Sequence, residues 1–153
     1  MSVGKVILIC GLPGSGKTTL AGELTETLGA VRFSPDEWMT DMKVSLWDSQ
    51  AREAMEQRLW QLAQTIALQG GTVILENGFW TKSERDRYLQ AARKLGLQIE
   101  LRALFISKDE TRRRLEARGM EGDDIILSEK LDEYYEVFEK PTEEELAQYD
   151  NSD

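Results

Sequence analysis

Apolar positions along this chain fall into short unbroken runs separated by longer periodic stretches. Val6-Ile7-Leu8-Ile9-Cys10 is continuous and rich in β-branched residues, the mark of a strand covered on both faces. Thr72-Val73-Ile74-Leu75 reads the same way, Ile99 to Ile106 gives a further strand, and Val31-Arg32-Phe33 a short one. Between them the period becomes helical. Leu20, Leu24 and Leu28 share a face over Thr18–Leu28, which Gly29 ends. Met55, Leu59, Leu62 and Ile66 do so over Ala51–Gln69, and Tyr88, Ala92 and Leu95 over Ser83–Leu95. Ser34-Pro35-Asp36-Glu37 has the form of a helix start: a serine cap, proline where its missing N–H costs nothing, and a glutamate that completes a capping box. Asp109–Arg118 reads as a basic helix, 119–124 as a flexible loop, and Ser128–Phe138 as a helix with Leu131, Tyr134 and Phe138 inward. From Pro141 the chain is acidic and expected to be disordered.

Strands alternating with helices across short glycine-containing turns imply βαβ units around a parallel sheet. Ligands bind such sheets outside the carboxyl ends of the strands. The chemically pointed residues follow strand ends: Gly14–Thr18, Asp36 and Glu76–Trp80. One shared site is therefore expected, in one domain spanning residues 1–140, followed by an acidic tail at 141–153.

Composition narrows the chemistry. Among 153 residues there is no histidine, which removes histidine bases and the usual zinc sites. Catalysis must run on carboxylates, lysine, arginine and hydroxyls, and any metal that takes part must be a hard ion bound through oxygen. The lone Cys10 rules out an internal disulfide and fits a reducing compartment. It reads as an inert buried thiol. With no signal-peptide pattern and no apolar run of membrane-spanning length, a cytoplasmic location with no membrane partner is expected. The net charge is −9, unevenly spread: residues 1–118 hold 17 of the 19 basic and 15 of the 28 acidic side chains, and 119–153 the remaining 2 and 13. Such an acidic third disfavours a long polyanion such as nucleic acid as partner.

The first strand breaks at Gly11-Leu12-Pro13-Gly14-Ser15-Gly16-Lys17-Thr18. This is G-x-x-x-x-G-K-[ST] set between strand and helix, the phosphate-binding P-loop. Glycines allow backbone N–H groups to turn inward around phosphate oxygens, and the helix N-terminus adds partial positive charge. Lys17 is expected on the β- and γ-phosphates and the Thr18 hydroxyl on Mg²⁺. Gly11, Pro13, Gly14, Ser15, Gly16 and Thr19 complete the nucleotide set, so ATP and Mg²⁺ are the expected cofactors.

Other candidates carry two readings each. Asp36 is either the base that takes a proton from a substrate hydroxyl or a first-turn acid complementing the helix dipole. Glu76 ends a buried strand where a carboxylate organises Mg²⁺, directly or through water; its alternative is an exposed strand-end acid. Arg112, Arg113, Arg114 and Arg118 crowd one helix, with Arg114 and Arg118 on one face. They either stabilise the transferring group as a lid over about 109–127 closes or form a solvated basic face. Arg112 is placed beside the nucleotide. Trp38, Phe79 and Trp80 are candidate walls of an acceptor pocket, together with Asp36 and Arg85, although Arg85 and Arg87 also read as surface. Trp47 and Trp60 read as packing.

The P-loop, "SPDEW", "VILENGFW" and "TRRRLEAR", in this order, resemble the small P-loop kinases of the AAA_33 group over roughly residues 4–140. These are similar to the kinase halves of polynucleotide kinases, to chloramphenicol phosphotransferase and zeta toxins, and more distantly to adenylate and shikimate kinases. The resemblance implies a three-layer α/β P-loop fold with an adenylate-kinase-like sheet of order 2-3-1-4. It also implies Asp36 as acceptor base and Arg114 and Arg118 as lid arginines. Two departures stand out: Glu76 lies where relatives often carry aspartate, and "ELAQYDNSD" has no strand character where relatives usually add a fifth strand. The expected activity is ATP- and Mg²⁺-dependent phosphorylation of a hydroxyl on a small molecule. The alternatives are a 5′-hydroxyl nucleic-acid or zeta-toxin-like kinase and a nucleotide-gated switch acting on a protein partner.

Overall fold

A computed structural model describes residues 3–151. Four strands, β1 (Lys5–Cys10), β2 (Val31–Phe33), β3 (Thr72–Gly78) and β4 (Gln98–Ala103), form one sheet in the order β2-β3-β1-β4. All three pairings are parallel, with Val6 opposite both Val73 and Ile99. Seven helices among the described residues complete the three-layer α/β arrangement: α1 (Lys17–Leu28), α2 (Pro35–Asp41), α3 (Ser49–Leu68), α4 (Lys82–Lys94), α5 (Lys108–Ala117), α6 (Asp123–Val137) and α7 (Glu143–Leu146). None is long and apolar enough to cross a membrane.

The continuous apolar run of β1 reflects its central place. Val6, Leu8 and Cys10 enter the core on one face, with Val73, Leu75, Ile99 and Leu101; Ile7, Ile9 and Ile74 enter the other, against Ala21 of α1. Helix faces sit slightly off the spacing of the large residues. Helix α3 buries Leu59, Ala63 and Ala67 while Leu62 is exposed, and Leu28 and Leu95 are exposed near the ends of α1 and α4. Small side chains permit a closer helix–sheet approach than leucines do, so alanines take the contact line. Ser34 caps the helix and Pro35 takes its first position as read, Ser34 Oγ accepting the Glu37 N–H at 3.3 Å, but the Glu37 carboxylate pairs with Arg32 instead of closing a capping box.

Helices α5 and α6 form a hairpin over the strand ends, turning through Gly119, Met120 and Gly122, all at positive φ. The hairpin carries its own small core of Leu115, Leu127 and Leu131. It is fastened below by the Tyr135 hydroxyl, 2.8 Å from Thr111 Oγ1, which donates to Ile106 O at 2.7 Å.

The acidic tail differs from its expected disorder. Helix α7 buries Glu145, whose carboxylate accepts two hydrogen bonds from the buried Arg85 guanidinium, at 2.7 and 2.9 Å. Tyr149 is buried beside it. Beyond α7, the Asp150 N–H donates to Ile99 O at 2.8 Å, Asp150 Oδ2 accepts the Ile99 N–H at 2.9 Å, and Asn151 Oδ1 accepts the Leu101 N–H at 2.8 Å. The sheet thus has four strands, and side-chain oxygens satisfy the outer edge of β4 where a fifth strand would lie. Charge had concealed this: the tail docks through ion pairs and single apolar anchors, which have no periodicity.

Removing the tail's carboxylate leaves Arg85 charged, buried and unpaired. Glu145→Ala should cost about 3–5 kcal/mol in urea unfolding, and Arg85→Met with Glu145→Leu should recover much of that loss. Equal stability of Glu145→Ala and the wild type would show that the tail does not hold the fold.

Candidate active site

The site begins where β1 and β3 stop. The Gly11 N–H donates to Gly78 O at 2.9 Å, so the two strand ends leave the sheet together. Gly14 and Gly16 take positive φ, 81° and 99°, turning the loop back toward α1. Gly16 is the N-cap of α1 and offers no side chain to its first N–H groups, which remain available to an anion. The Ser15 Oγ is buried with no hydrogen-bond partner. Lys17 Nζ lies along the loop, donating to Gly11 O and Leu12 O, both at 2.9 Å. Burial lowers its pKa to about 8, partly offset by Asp36 and Glu76. A cation, a row of backbone donors and an unpaired hydroxyl form a cradle that fits a polyphosphate.

A cavity of about 530 Å³ opens beside the loop, with Pro13, Lys17, Asp36, Glu76 and Trp80 among its lining. Asp36 opens α2 and its carboxylate is ion-paired with Arg52, Oδ1 to Nη1 at 2.8 Å. Glu76, near the end of β3, is buried and ion-paired with Arg32 of β2, which also reaches Glu37 at 2.5 Å. Burial raises the Glu76 pKa while Arg32 opposes the rise. Thr18 is exposed at the head of α1. No group of three or more potential ligands that could hold a metal occurs among the described residues. Thr18 and Glu76 are the groups the sequence assigns to Mg²⁺, an ion bound through few protein groups when nucleotide phosphates supply the rest. Thr18 would hold it, and Glu76 would act on its water from behind the Arg32 pair.

The lid arginines divide. Arg114 Nη1 donates to Gly14 O at 3.4 Å and reaches the P-loop. Arg118 instead pairs with Asp124 at 2.7 Å inside the hairpin, and Arg112 lies 4.0 Å from Asp132. None of the three is among the cavity's lining residues.

Three expected pocket residues lie elsewhere. Phe79 is fully buried against Tyr88, ring centroids 4.9 Å apart, because positive φ at Gly78 and Phe79 turns the chain inward before Trp80 turns out. Arg85 is fully buried, donating to Phe79 O at 2.8 Å and pairing with Glu145. Trp38 packs edge-on against Phe33 at 6.0 Å and is not a lining residue. Trp80 does line the cavity, its ring tilted 57° against that of Tyr134 of α6 with centroids 4.8 Å apart. Cys10 is buried, its thiol pushed up to about 11 by desolvation, and it donates to Phe79 O at 3.3 Å.

The lining also includes residues that the sequence reading did not select: Arg52 and Glu56 on α3, Glu84 on α4, and Trp47 before α3. The available signal was the i, i+4 spacing of Arg52 and Glu56, which gives them a common face; nothing marked that face as pointing toward the P-loop. Burial, with Glu84 as the nearest like charge, raises the Glu56 pKa to about 7.

Sheet order, loop and overlying hairpin define a P-loop kinase fold. The AAA_33 family model, described as an AAA domain, matches residues 6–141, and the chain belongs to that family. Among solved structures it is similar to the APS kinase of Mycobacterium tuberculosis in complex with AMPPNP and APS, at 19% identity over 75% of this chain and 70% of that one, with a TM-score of 0.63. A gluconokinase from Sinorhizobium meliloti 1021 is similar at 18% identity over 95% and 81%, TM-score 0.66. So is a chain of a Pnkp1/Rnl/Hen1 RNA repair complex, at 19% identity over 99% and 51%, TM-score 0.65. These likenesses establish the fold. No curated protein matches the chain.

Two outcomes follow from the shifted groups. A phosphate at Lys17 restores its proton, so ATP binding at pH 8 should take up as much as about half a proton. Calorimetry in buffers of different ionisation enthalpy reads this, and Lys17→Arg should show none. For Glu56 the raised pKa means that stability falls as pH rises from 4.5 to about 7. Glu56→Gln should therefore raise Tm by roughly 2–4 °C at pH 8, with the gain gone near pH 4.

Proposed function

We propose that this protein is an ATP- and Mg²⁺-dependent kinase that transfers a γ-phosphoryl group to a hydroxyl of a small molecule. The observation that carries this reading is that the P-loop lysine and Asp36 line the same cavity. One chamber then serves both the transferred group and a carboxylate able to receive the acceptor's proton.

Bound Mg·ATP supplies an electrophilic phosphorus with a good leaving group. Lys17 and the N–H groups at the head of α1 hold the phosphates and meet negative charge as it builds on the leaving oxygen. Arg114 lies against the loop at Gly14 O, so hairpin closure brings its guanidinium to the transferring group. Arg52 fixes the Asp36 carboxylate at 2.8 Å, orienting it toward a hydroxyl in the cavity. The acceptor oxygen bonds to phosphorus, the bond to the ADP oxygen breaks, and the hydroxyl proton passes to Asp36. The aromatic and aliphatic wall of Trp47, Trp80 and Leu127 suits a compact organic acceptor. A 5′-hydroxyl nucleic acid is the weaker reading, because carboxylates rather than a basic groove surround the chamber.

γ-Labelled ATP incubated with a broad pool of hydroxyl compounds tests the proposal. Label should enter a small molecule, Lys17→Ala should abolish transfer, and Asp36→Asn should lower kcat about 10²–10⁴-fold. Normal transfer by Asp36→Asn would remove the base assignment. Label in an oligonucleotide would move the reading to the nucleic-acid kinase.

A further inference from the structure

We propose that the acceptor is an organic cation, a hydroxyl compound bearing a protonated amine, selected by Glu56 and Glu84. This rests on reading the cavity as the acceptor chamber of a kinase. The chamber itself is defined by its volume, its aromatic walls and its junction with the P-loop; the two carboxylates decide only its charge.

The other lining carboxylates are already matched. Asp36 is paired with Arg52, Glu76 with Arg32, and Asp124 with Arg118. Glu56 and Glu84 also line the cavity and are half-buried, yet among the described residues neither carboxylate has an ion-pair or hydrogen-bond partner. The cations near them are committed or peripheral. Arg52, one turn from Glu56, divides its guanidinium between Asp36 and Leu46 O, the latter at 3.1 Å. Arg85 is locked to Glu145; Arg87 is exposed and lines the smaller neighbouring cavity rather than the main chamber, lowering the Glu84 pKa from there without forming an ion pair with it. Burial raises the pKa of both carboxyls; the Glu84 charge adds to the rise at Glu56, while Arg87 and Arg85 oppose it at Glu84. Two half-buried acids on one chamber, neither of them in an ion pair, are stabilised when a cation joins them.

The shape of the space gives an independent reason to place a ligand group there. A second cavity of about 170 Å³, walled by Trp60 and Tyr88, shares Glu56 and Glu84 with the main chamber. The pair therefore stands where the two spaces meet, within reach of an acceptor extending away from the P-loop. The walls suit a cation as well. Trp47 and Trp80 line the main chamber, and the Trp47 ring already carries the Lys130 ammonium 5.3 Å from its centroid. An anionic acceptor would instead meet two carboxylates that no ion pair in the chamber neutralises, which discriminates against it.

Matched acceptors test the proposal: glucosamine against glucose, ethanolamine against ethylene glycol, an aminocyclitol against inositol, with gluconate as the anion. Transfer from γ-labelled ATP is measured for each. The amine of at least one pair should exceed its neutral partner in kcat/KM by about tenfold or more, the size of a charge-assisted hydrogen bond. Glu56→Gln combined with Glu84→Gln should erase that preference; removing unpaired buried charge leaves folding intact. Equal or better transfer to neutral or anionic members, or a preference untouched in the double variant, overturns the proposal and leaves the kinase reading standing. If nothing is labelled, binding of the same pairs is read by tryptophan fluorescence with a non-hydrolysable ATP analogue present. Amine-selective binding lost in the double variant would keep the charge assignment and remove the kinase reading. No selectivity would remove both.

Discussion

One hydrogen bond between two glycines sets the geometry on which everything else depends. The Gly11 N–H reaches Gly78 O at the point where neighbouring parallel strands both leave the sheet. Neither residue tolerates a side chain. A Cβ on Gly11 would lie 2.5 Å from Ser15 Oγ and 2.9 Å from Leu104 O, and one on Gly78 would lie 2.9 Å from Trp80 Nε1 at a φ of 90°. From this crossing the chain departs in two directions. One becomes the phosphate cradle; the other turns Phe79 into the core and Trp80 into the chamber. Donor and acceptor halves of the site are thus hung from a single point, and the distance between them is a property of the sheet.

Charge in this protein is sorted by depth. Deep in the molecule, Arg85 and Glu145 neutralise one another and fasten α7 to the carbonyl of Phe79. Around the P-loop, Arg32 holds the buried Glu76 and Arg52 holds the exposed Asp36, so each carboxylate near the transferred group comes with a cation beside it. The surplus acid of the last third lies mostly on α6 and the tail, where exposed side chains face water. The net charge of −9 therefore says little about the site, whose own balance is decided by a few partly buried residues on α3 and α4.

How far the molecule was legible follows the same division. The P-loop, the unbroken strands, the Ser34 cap and the parallel character of the sheet depend on local spacing and backbone need, and spacing is written in the sequence. Arg85 was misread because an arginine on a helix is ordinarily solvated; only the approach of Glu145, sixty residues later, makes its burial affordable. Phe79 and Trp80 are adjacent aromatics with opposite fates, divided by backbone turns at Gly78 and Phe79 that composition does not reveal. Arg52 and Glu56 escaped notice because a polar helix face has the same pattern whether it meets water or a cavity. Trp47 was taken as packing for a similar reason.

The tail's seal on β4 has a bearing on how this chain meets others of its kind. An uncovered edge strand presents a row of donors and acceptors that a second chain can extend, the route to domain swapping and cross-β growth. Here Asp150 and Asn151 engage the N–H groups of Ile99 and Leu101, while the opposite edge, β2, is only three residues long. The sheet is closed to lateral growth on one side by side-chain mimicry and on the other by brevity. Proteolytic loss of the last few residues would reopen a six-residue edge and give neighbouring molecules a template to pair on.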